Sequence, residues 1–437
     1  MTARIHAANC AGDTTALPID QLASMLRKQG LGRVFDFFTR TYAELLLKEL
    51  NVKALGPGRS MEALGLRLVN FGSDSFLGLD QDPRVQEALV RGVATWGTHN
   101  GASRAFASVE ANVVAEERLA KWLGTEAVVM YPSVTLANHG AIPGLAGKAD
   151  VIVTDEQAHN SIHEATKIAR GNGVRTATFA YCDPEDLQRT LNKVRPYRFA
   201  LIAVDGVYSM TGTLPPLAEL AAVASANDGI LYIDDAHGTG VLGTRGRGTV
   251  LDALGSYDNT LVVGSLSKAF SCLGAFIGCD RNMAQLLKFR SNTYIFGGPV
   301  PPPYLEAILT VLDILESDEY YHLHSRLQAN VERLVQGLNA QGLIVAGGLT
   351  PIISILVGDE VDTLRAGYEL FQRGYYVQSV IFPVVPYREG VLRIQVNANH
   401  TTEMIDGLLA ALNGTRRVVS FPTILSMQQE SRQLKCA

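Results

Sequence analysis

The chain lacks both a long apolar run and a cysteine-pairing pattern. No stretch of about 18 or more uninterrupted apolar residues occurs, which is the length that a membrane-spanning helix needs, so no integral membrane segment is predicted. Met1–His6 has no cationic flank followed by an apolar run, so no signal peptide is predicted. The five cysteines are scattered without CxxC spacing, which indicates reduced thiols in a cytoplasmic protein.

An excess of one charge is also missing. The 38 lysines and arginines nearly balance the 43 aspartates and glutamates, and the net charge of −5 does not indicate a nucleic-acid partner. Hydrophobic residues make up 47% of the chain and charged residues 19%, which is a globular composition. Because 437 residues exceed one ordinary core, two or more domains are predicted.

Several common catalytic motifs are absent. Neither a GxSxG nucleophile elbow nor a Walker GxxxxGK[ST] sequence occurs, so hydrolase and nucleoside triphosphatase functions have no support. Gly238–Gly243 matches GxGxxG, but four residues separate it from the preceding apolar segment and no helix pattern follows. A dinucleotide-binding fingerprint needs both of those features, so nicotinamide or flavin binding is not predicted.

Short apolar segments alternate with helical segments in the middle of the chain. The predicted strands are Ala127–Met130, Val151–Val153, Phe199–Val204, Ile230–Ile233 and Leu261–Val263. The predicted helices are Arg84–Thr95, Asn112–Leu123, His159–Arg170, Leu187–Lys193 and Ala218–Asn227. This alternation is typical of an α/β domain with a mostly parallel sheet.

The flanking regions differ from this α/β pattern. Apolar residues of Pro18–Leu50 recur at spacings of three and four, which predicts an amphipathic helical arm that docks on a partner subunit rather than on a membrane surface. After the proline cluster Pro299–Pro303, the sequence predicts one long helix over about Leu305–Leu338 and then strands. We therefore predict an N-terminal helical arm (1–69), a large α/β domain (70–299) and a small C-terminal α+β domain (300–437).

Lys268 and Asp234 carry the clearest chemical signal. Each follows a predicted buried strand, and ligands of open α/β sheets bind beyond the carboxyl ends of the strands. A lysine beside a carboxylate can hold pyridoxal 5'-phosphate (PLP) as a Schiff base while the carboxylate keeps the pyridine nitrogen protonated. Small residues near the lysine, including Ser265, allow backbone amides and hydroxyls to approach a phosphate. A buried ion pair without a cofactor is the alternative interpretation.

Three further side chains are candidates for the same site. His237 lies three residues after Asp234 and can reach the phenolic oxygen of such a cofactor. His159 and His163 have a spacing that suits a metal, but no HExxH glutamate or obvious third ligand accompanies them, so no metal site is predicted and stacking of His159 on a flat cofactor is favoured. Arg393, on an alternating strand, is either a surface residue or a clamp for a carboxylate.

Nine stretches of the chain, in order, resemble motifs of the α-oxoamine synthases, a family of fold-type-I PLP enzymes. These stretches are Asn70–Leu79, Gly101–Arg104, Asp155–His159, Asp205–Met210, Asp234–Gly238, Gly246–Gly248, Ser265–Ala269, Tyr294–Phe296 and Thr350–Ile352. The resemblance runs from about residue 70 to residue 400. It implies the fold class α/β, PLP-dependent transferase fold type I, with a mostly parallel large domain and a smaller α+β C-terminal domain.

The resemblance also implies an activity. It predicts a cytoplasmic, homodimeric acyltransferase that uses PLP to condense a small amino acid (glycine, alanine or serine) with an acyl thioester, carried by CoA or by an acyl carrier protein. Carbon dioxide and the free thiol are released, and an α-amino ketone is formed. An aminotransferase on the same scaffold is the alternative function, and a catalytically silent partner subunit is a second one.

The same resemblance implies a role for each matching residue. The catalytic group comprises the Schiff-base lysine, the partner of the pyridine nitrogen, the partner of the phenolic oxygen and the stacking imidazole: Lys268, Asp234, His237 and His159. The positions implied to lie near the cofactor or its phosphate are Ser209, Ser265 and the amides around Val134 and Thr135. The position implied to bind the amino-acid carboxylate is Arg393.

The chain departs from the family pattern at several contacts. Ser75, preceded by Asp74, stands where an asparagine usually helps to hold the substrate carboxylate. Val134 replaces the usual glycine of the phosphate turn. Gly297 and Gly298 replace hydroxyl residues that usually make a phosphate contact across the subunit interface. The departures fall on substrate and phosphate contacts and leave the lysine, the aspartate and the histidines intact.

Overall fold

The computed structural model describes residues 18–56, 58–348 and 350–423. The described residues up to Glu49 form one compact unit, and those from Leu50 onward form a second. None of the described helices is both long and apolar enough to cross a membrane.

The first unit is helical. It contains α1 (Ile19–Arg27), α2 (Gly30–Thr41) and a short 3-10 helix over Ala43–Leu45. Helices are therefore confirmed in this part of the predicted arm, but residues 52–70 form strands instead. Within this region Met61 and Ala63 are buried and Glu62 between them is exposed, which is the period of a half-buried strand.

The second unit contains all of the described strands. They are β1 (Val52–Gly56), β2 (Ser60–Ala63), β3 (Leu66–Asn70), β4 (Ala127–Tyr131), β5 (Val151–Asp155), β6 (Arg175–Phe179), β7 (Ala200–Asp205), β8 (Gly229–Asp234), β9 (Thr260–Ser265), β10 (Ala275–Cys279), β11 (Val345–Gly347), β12 (Ile352–Gly358), β13 (Tyr375–Tyr376), β14 (Gln378–Val380) and β15 (Gly390–Gln395).

Its helices are mostly longer than its strands. They are α3 (Pro83–Trp96), α4 (Glu110–Leu123), α5 (Val134–Leu145), α6 (Asn160–Gly171), α7 (Pro184–Lys193), α8 (Leu217–Ala226), α9 (Thr249–Leu254), α10 (Arg281–Arg290), α11 (Asn292–Phe296), α12 (Pro302–Glu316), α13 (Glu319–Ala340), α14 (Glu360–Gln372) and α15 (Thr402–Thr415), with 3-10 turns at Leu79–Gln81 and Thr244–Gly246.

A seven-stranded sheet lies at the centre of the second unit, in the order β4-β10-β9-β8-β7-β5-β6. Strands β5 to β9 pair in parallel, and β10 is antiparallel to both of its neighbours. Every residue of β5, β7 and β9 is buried, because apolar clusters cover both faces of the sheet. The predicted mostly parallel sheet is confirmed, with the five predicted strands at β4, β5, β7, β8 and β9.

Two smaller sheets flank the central one. Strands β11-β12-β15-β14 form an antiparallel sheet in the C-terminal part of the chain. Strands β1-β2-β3 form a meander whose last strand pairs in parallel with β13, with Val69 opposite Tyr375. The division into large and small domains at residues 299 and 300 stays a prediction.

The single helix predicted over about 305–338 is wrong, because two helices occupy this region. Helix α12 ends at Glu316 and α13 begins at Glu319. Between them, Ser317 has an extended backbone (φ −88°, ψ 173°). The Ser317 hydroxyl donates to the Ile314 carbonyl at 2.8 Å and accepts from the Glu319 amide at 3.2 Å. These local hydrogen bonds compete with a continuous helix.

We predict that Gly92→Ala destabilises the protein by about 1–3 kcal/mol, because α3 and α12 pack closely at this glycine. A Cβ at Gly92 would lie 2.6 Å from the Cα of Pro303, which is part of the α12 backbone. Gly171→Ala is the matched control, since a Cβ at that helical glycine would meet nothing within 4 Å. Thermal unfolding of the three proteins checks this, and equal midpoints for Gly92→Ala and the wild type would contradict the packing argument.

Candidate active site

The parallel strands bring acidic and hydroxyl side chains to one edge of the central sheet. Strand β5 ends at Asp155, β7 at Asp205, β8 at Asp234 and β9 at Ser265, and all four residues are buried. Because the strands run in the same direction, their carboxyl ends meet at one edge, where ligands of such sheets bind. The carboxylate of Asp155 has a structural role, since it accepts a hydrogen bond from the backbone amide of Cys182 at 2.9 Å. The other three belong to the candidate site.

Asp234 is held in place by Asn138 from helix α5. Asn138 is fully buried, and its side-chain amide donates to Asp234 Oδ2 and to Ser161 Oγ, both at 2.8 Å. Its carbonyl oxygen accepts from the Tyr232 hydroxyl at 2.9 Å. The backbone amide of Ala236 donates to the other oxygen of Asp234 at 3.2 Å. Each carboxylate oxygen therefore has a hydrogen-bond donor. These donors compensate for lost solvation, since Asp234 is only 4% exposed.

Lys268 lies in the turn after β9, with its Nζ 2.9 Å from His237 Nε2. Burial lowers the pKa of Lys268, and the fields of Asp74 and Asp234 oppose that effect. Burial also lowers the pKa of His237 well below its ordinary value, and the neighbouring lysine lowers it further. The pair therefore favours a neutral imidazole next to an amine that loses its proton more easily than a lysine in water.

His159 is the N-cap of helix α6 and is held by two polar neighbours. Its backbone amide donates to Asp205 Oδ1 at 2.9 Å. Its Nδ1 lies 2.7 Å from Ser161 Oγ and accepts from the Ser161 amide at 3.2 Å. Burial and the charge of Asp234 raise the pKa of Asp205 well above its ordinary value. His159 is an exposed residue, so a ligand can reach its side chain.

The N-terminus of helix α5 faces the same edge of the sheet. The helix begins at Val134, directly after β4, and is capped by Ser133, whose hydroxyl accepts from the Leu136 amide at 3.2 Å. The amides of Val134 and Thr135 make no hydrogen bond within the described part of the chain. Free amides at the positive end of a helix suit an anion such as a phosphate. Ser265 is buried, with its hydroxyl 3.0 Å from that of Ser267.

Arg393 lies on β15 and is only 4% exposed, so the surface interpretation of this arginine is wrong. Its Nε donates to the Ser209 carbonyl at 2.6 Å, and its Nη1 donates to Gln378 Oε1 at 2.9 Å. Its Nη2 donates to Asp74 Oδ1 at 3.3 Å, and Gln395 donates to the same oxygen. A buried guanidinium in this environment is suited to a carboxylate ligand.

Comparisons with known proteins identify the family of the chain. The profile described as "Aminotransferase class I and II" matches residues 67–412. The chain belongs to this family. A putative 8-amino-7-oxononanoate synthase of Desulforudis audaxviator is 37% identical over 362 residues, covering 83% of this chain and 92% of that protein. The 8-amino-7-oxononanoate synthase of Anaeromyxobacter sp. (strain K) is 34% identical, covering 83% and 90%.

Solved structures agree with this placement. A serine palmitoyltransferase of Sphingomonas wittichii superposes with a TM-score of 0.84 at 24% identity, covering 90% of this chain and 100% of the other. An 8-amino-7-oxononanoate synthase of Francisella tularensis gives a TM-score of 0.68 at 25% identity, covering 80% and 98%. The fold is PLP-dependent transferase fold type I, as predicted, and the protein is an α-oxoamine synthase, a PLP-dependent acyltransferase of the Claisen-condensing type.

The residues of this α-oxoamine synthase fit the cofactor. Lys268 supplies the amine that would bond to it, and Asp234 is a buried carboxylate already oriented by Asn138. His159 offers an exposed side chain, and the start of α5 at Val134 offers free amides for the phosphate. The group thus has a covalent anchor, a partner for its ring nitrogen, a stacking surface and an anion site.

The remaining predicted site residues, Ser209 and Ser75, make contacts that differ from those expected from the sequence. Ser209 contacts Arg393 through its backbone carbonyl, which accepts a hydrogen bond from the guanidinium. The hydroxyl of Ser75 lies 2.5 Å from that of Ser271, in the turn that carries Lys268. The residue that reaches the Arg393 guanidinium is Asp74, and the role of Ser75 in holding a substrate carboxylate stays a prediction.

Two residues of the site are not predicted from the sequence. Asp74 was noted only as the neighbour of a substrate position, although a carboxylate in the family's asparagine region is a readable signal. Asn138 carried no signal because its helix α5 was not predicted. That helix contains Gly140, Pro143 and Gly144, which read as breakers in a linear pattern.

We predict that Asn138→Leu weakens PLP binding about tenfold or more, because the change leaves Asp234, Ser161 and Tyr232 without their buried partner. Leucine keeps the branching at Cγ and leaves no cavity, so the effect would not report a loss of packed volume. Titration of the apoenzyme with PLP, followed by the visible absorbance of the bound cofactor, measures the affinity.

Thr166→Val is the control for this titration. Thr166 is buried in α6, and its hydroxyl has no hydrogen-bond partner among the described residues. Unchanged affinity is expected for this variant. Equal affinities for Asn138→Leu and the wild type would show that Asp234 does not depend on the amide.

Proposed function

We propose that this α-oxoamine synthase condenses a small amino acid, namely glycine, alanine or serine, with an acyl thioester of CoA or of an acyl carrier protein. The products are an α-amino ketone, carbon dioxide and the free thiol. The observation that carries the proposal is the contact of the Lys268 amine with His237, beside an oriented Asp234. The names of the similar proteins support it, since 8-amino-7-oxononanoate carries an amine on the carbon next to a ketone.

Asp234 and His237 set the electronic state of the site. When bound, PLP supplies an electron sink for the negative charge that develops on the α-carbon of the amino acid. Asp234, kept in place by Asn138, holds a proton at the ring nitrogen and so preserves that capacity. His237, whose Nε2 lies 2.9 Å from Lys268 Nζ, would donate a hydrogen bond to the phenolic oxygen of the cofactor.

Lys268 acts as the base in this proposal. Its lowered pKa favours the neutral amine, which is the form that can accept a proton from the α-carbon of the amino acid. The same Nζ then returns a proton to the product carbon after carbon dioxide has left.

His159 is arranged to donate a hydrogen bond to the thioester oxygen. Asn138 donates to Ser161 Oγ, so the Ser161 hydroxyl proton is free to point to Nδ1 of His159. The Ser161 amide also donates to Nδ1. With Nδ1 acting as an acceptor, a neutral ring carries its proton on Nε2, where it can stabilise the oxygen of the acyl group.

The proposal includes a homodimer in the cytoplasm. Phe106 and Phe296 are 90% and 82% exposed. The segments that carry them are joined, because the Ser103 hydroxyl donates to the Ile295 carbonyl and Arg104 lies over the Tyr294 ring at 5.3 Å. Two highly exposed phenyl rings on segments that contact each other support burial of this surface against a second copy of the chain. The cytoplasmic location stays a prediction.

We predict that the double variant Phe106→Ser/Phe296→Ser sediments as a monomer at concentrations where the wild type is a dimer, because apolar burial at the interface is lost. Val418→Ser, which changes another exposed apolar residue, is the control and should remain dimeric. Analytical ultracentrifugation measures the difference. A monomeric wild type, or a dimeric double variant, would contradict this part of the proposal.

We predict that the PLP-loaded enzyme releases free thiol from acyl-CoA or acyl carrier protein only when glycine, alanine or serine is present. A screen that crosses the three amino acids with short, medium and long acyl chains identifies the pair with the highest kcat/KM. An aminotransferase releases no thiol and instead produces an α-keto acid from the amino acid, so the two functions give different products.

Lys268→Ala is the decisive variant for the same assay. It should lose both the visible absorbance that depends on a covalent bond to the lysine and the release of thiol. Lys121→Ala, which removes an exposed lysine of α4, should retain both. Turnover by Lys268→Ala with PLP bound would refute the assignment, and failure of the pure wild type to bind PLP would favour the silent-subunit function.

A further inference from the structure

The carboxylate-binding arginine of the proposed substrate site already has an internal carboxylate partner. Arg393 Nη2 donates to Asp74 Oδ1 at 3.3 Å, and the amide of Gln395 donates to the same oxygen. The other nitrogens of the guanidinium donate to Ser209 and Gln378. Asp74 therefore occupies, from within the chain, a position that a substrate carboxylate would need.

The backbone around Asp74 is fixed to the strand that carries Arg393. The amide of Gln395 donates to the Phe71 carbonyl at 2.8 Å, and the amide of Ala398 donates to the Phe76 carbonyl at 2.8 Å. Asp74 lies between these two attachments. Because both ends of the segment are anchored, the carboxylate can leave Arg393 by rotation of its side chain, whereas withdrawal of the segment would break backbone hydrogen bonds.

Asp74 is also close to the catalytic lysine. The next residue, Ser75, is 2.5 Å from Ser271, whose amide donates to the Lys268 carbonyl at 2.8 Å. Among the charged groups that act on the pKa of Lys268, Asp74 has the largest effect. Its side chain is 31% exposed, compared with 5% for Arg393, so it borders the open part of the site.

We propose that Asp74 is a specificity-determining residue that competes with the carboxylate of the amino-acid substrate for Arg393. This inference rests on the proposed function. A substrate carboxylate that reaches the guanidinium must displace Asp74 or share one cation with it, and two anions on one buried cation repel each other. A neutral residue at position 74 would impose no such cost. Asp74 therefore weakens recognition of the α-carboxylate and leaves recognition of the amino group intact.

The experiment compares the affinities of two ligands for the PLP-loaded enzyme in the absence of an acyl donor. The ligands are alanine and alaninamide, which differ in that a neutral amide replaces the carboxylate. Isothermal titration calorimetry measures both dissociation constants for the wild type and for Asp74→Asn. We expect Asp74→Asn to bind alanine about tenfold or more tightly than the wild type does, because a charge-assisted contact to Arg393 becomes available. Alaninamide should bind both proteins equally.

Two further variants make the result interpretable. Asp74→Ala removes the carboxylate without adding an amide and should shift alanine binding in the same direction. Glu62→Gln removes one negative charge from an exposed position of β2 and should leave both affinities unchanged. The visible absorbance of each holoenzyme verifies that PLP is bound before the titration begins.

The competition is overturned if neither Asp74 variant binds alanine more tightly than the wild type, or if alaninamide gains as much affinity as alanine. These results are separable from failure of the proposed function. If the enzyme releases no thiol with any amino acid but its Asp74 variants bind alanine more tightly, the proposed reaction is refuted and the competition for Arg393 is supported. An enzyme that releases thiol while its Asp74 variants bind alanine as the wild type does would lose only the competition.

Discussion

A buried carboxyl group needs hydrogen-bond partners that compensate for its lost solvation, and the candidate site is organised around this constraint at Asp234. Asn138 uses both of its amide hydrogens and its carbonyl oxygen to join Asp234, Ser161 and Tyr232. One side chain thereby couples the strand that supplies the acid, the helix that supplies the imidazole and the helix whose first turn offers free amides. This network therefore fixes the relative positions of the candidate cofactor-binding groups.

The strands that could be predicted from the sequence are those buried on both faces. Strands β5, β7 and β9 are continuous apolar runs followed by polar residues. The sequence therefore predicts both the strands and the edge of the sheet at which the site lies. Edge strand β6 was missed because three of its five residues, Arg175, Thr176 and Thr178, are polar. Helix α5 was missed because Gly140 and Pro143 resemble breakers. The fold uses Gly140 for close packing, since a Cβ there would lie 2.0 Å from the hydroxyl of Ser291.

Site residues were predictable where one local stretch contains the chemistry and were not where distant segments meet. Lys268 and His237 stand in short motifs after apolar strands, and the structure brings them to 2.9 Å. The relation of Asp74 to Arg393 depends on a pairing between residues more than three hundred positions apart, which no local pattern encodes. The competing charge is therefore a property of the tertiary structure, although both residues are visible in the sequence.

The parallel pairing of β3 with β13 has a consequence for biosynthesis. Val69 emerges from the ribosome long before Tyr375, its partner across the two strands. The early meander must therefore remain without its final neighbour while most of the polypeptide is still being translated, and contacts of such large sequence separation form slowly. The segment that follows β3 carries Asp74, and its contact with Arg393 likewise forms only after residue 393 has been translated.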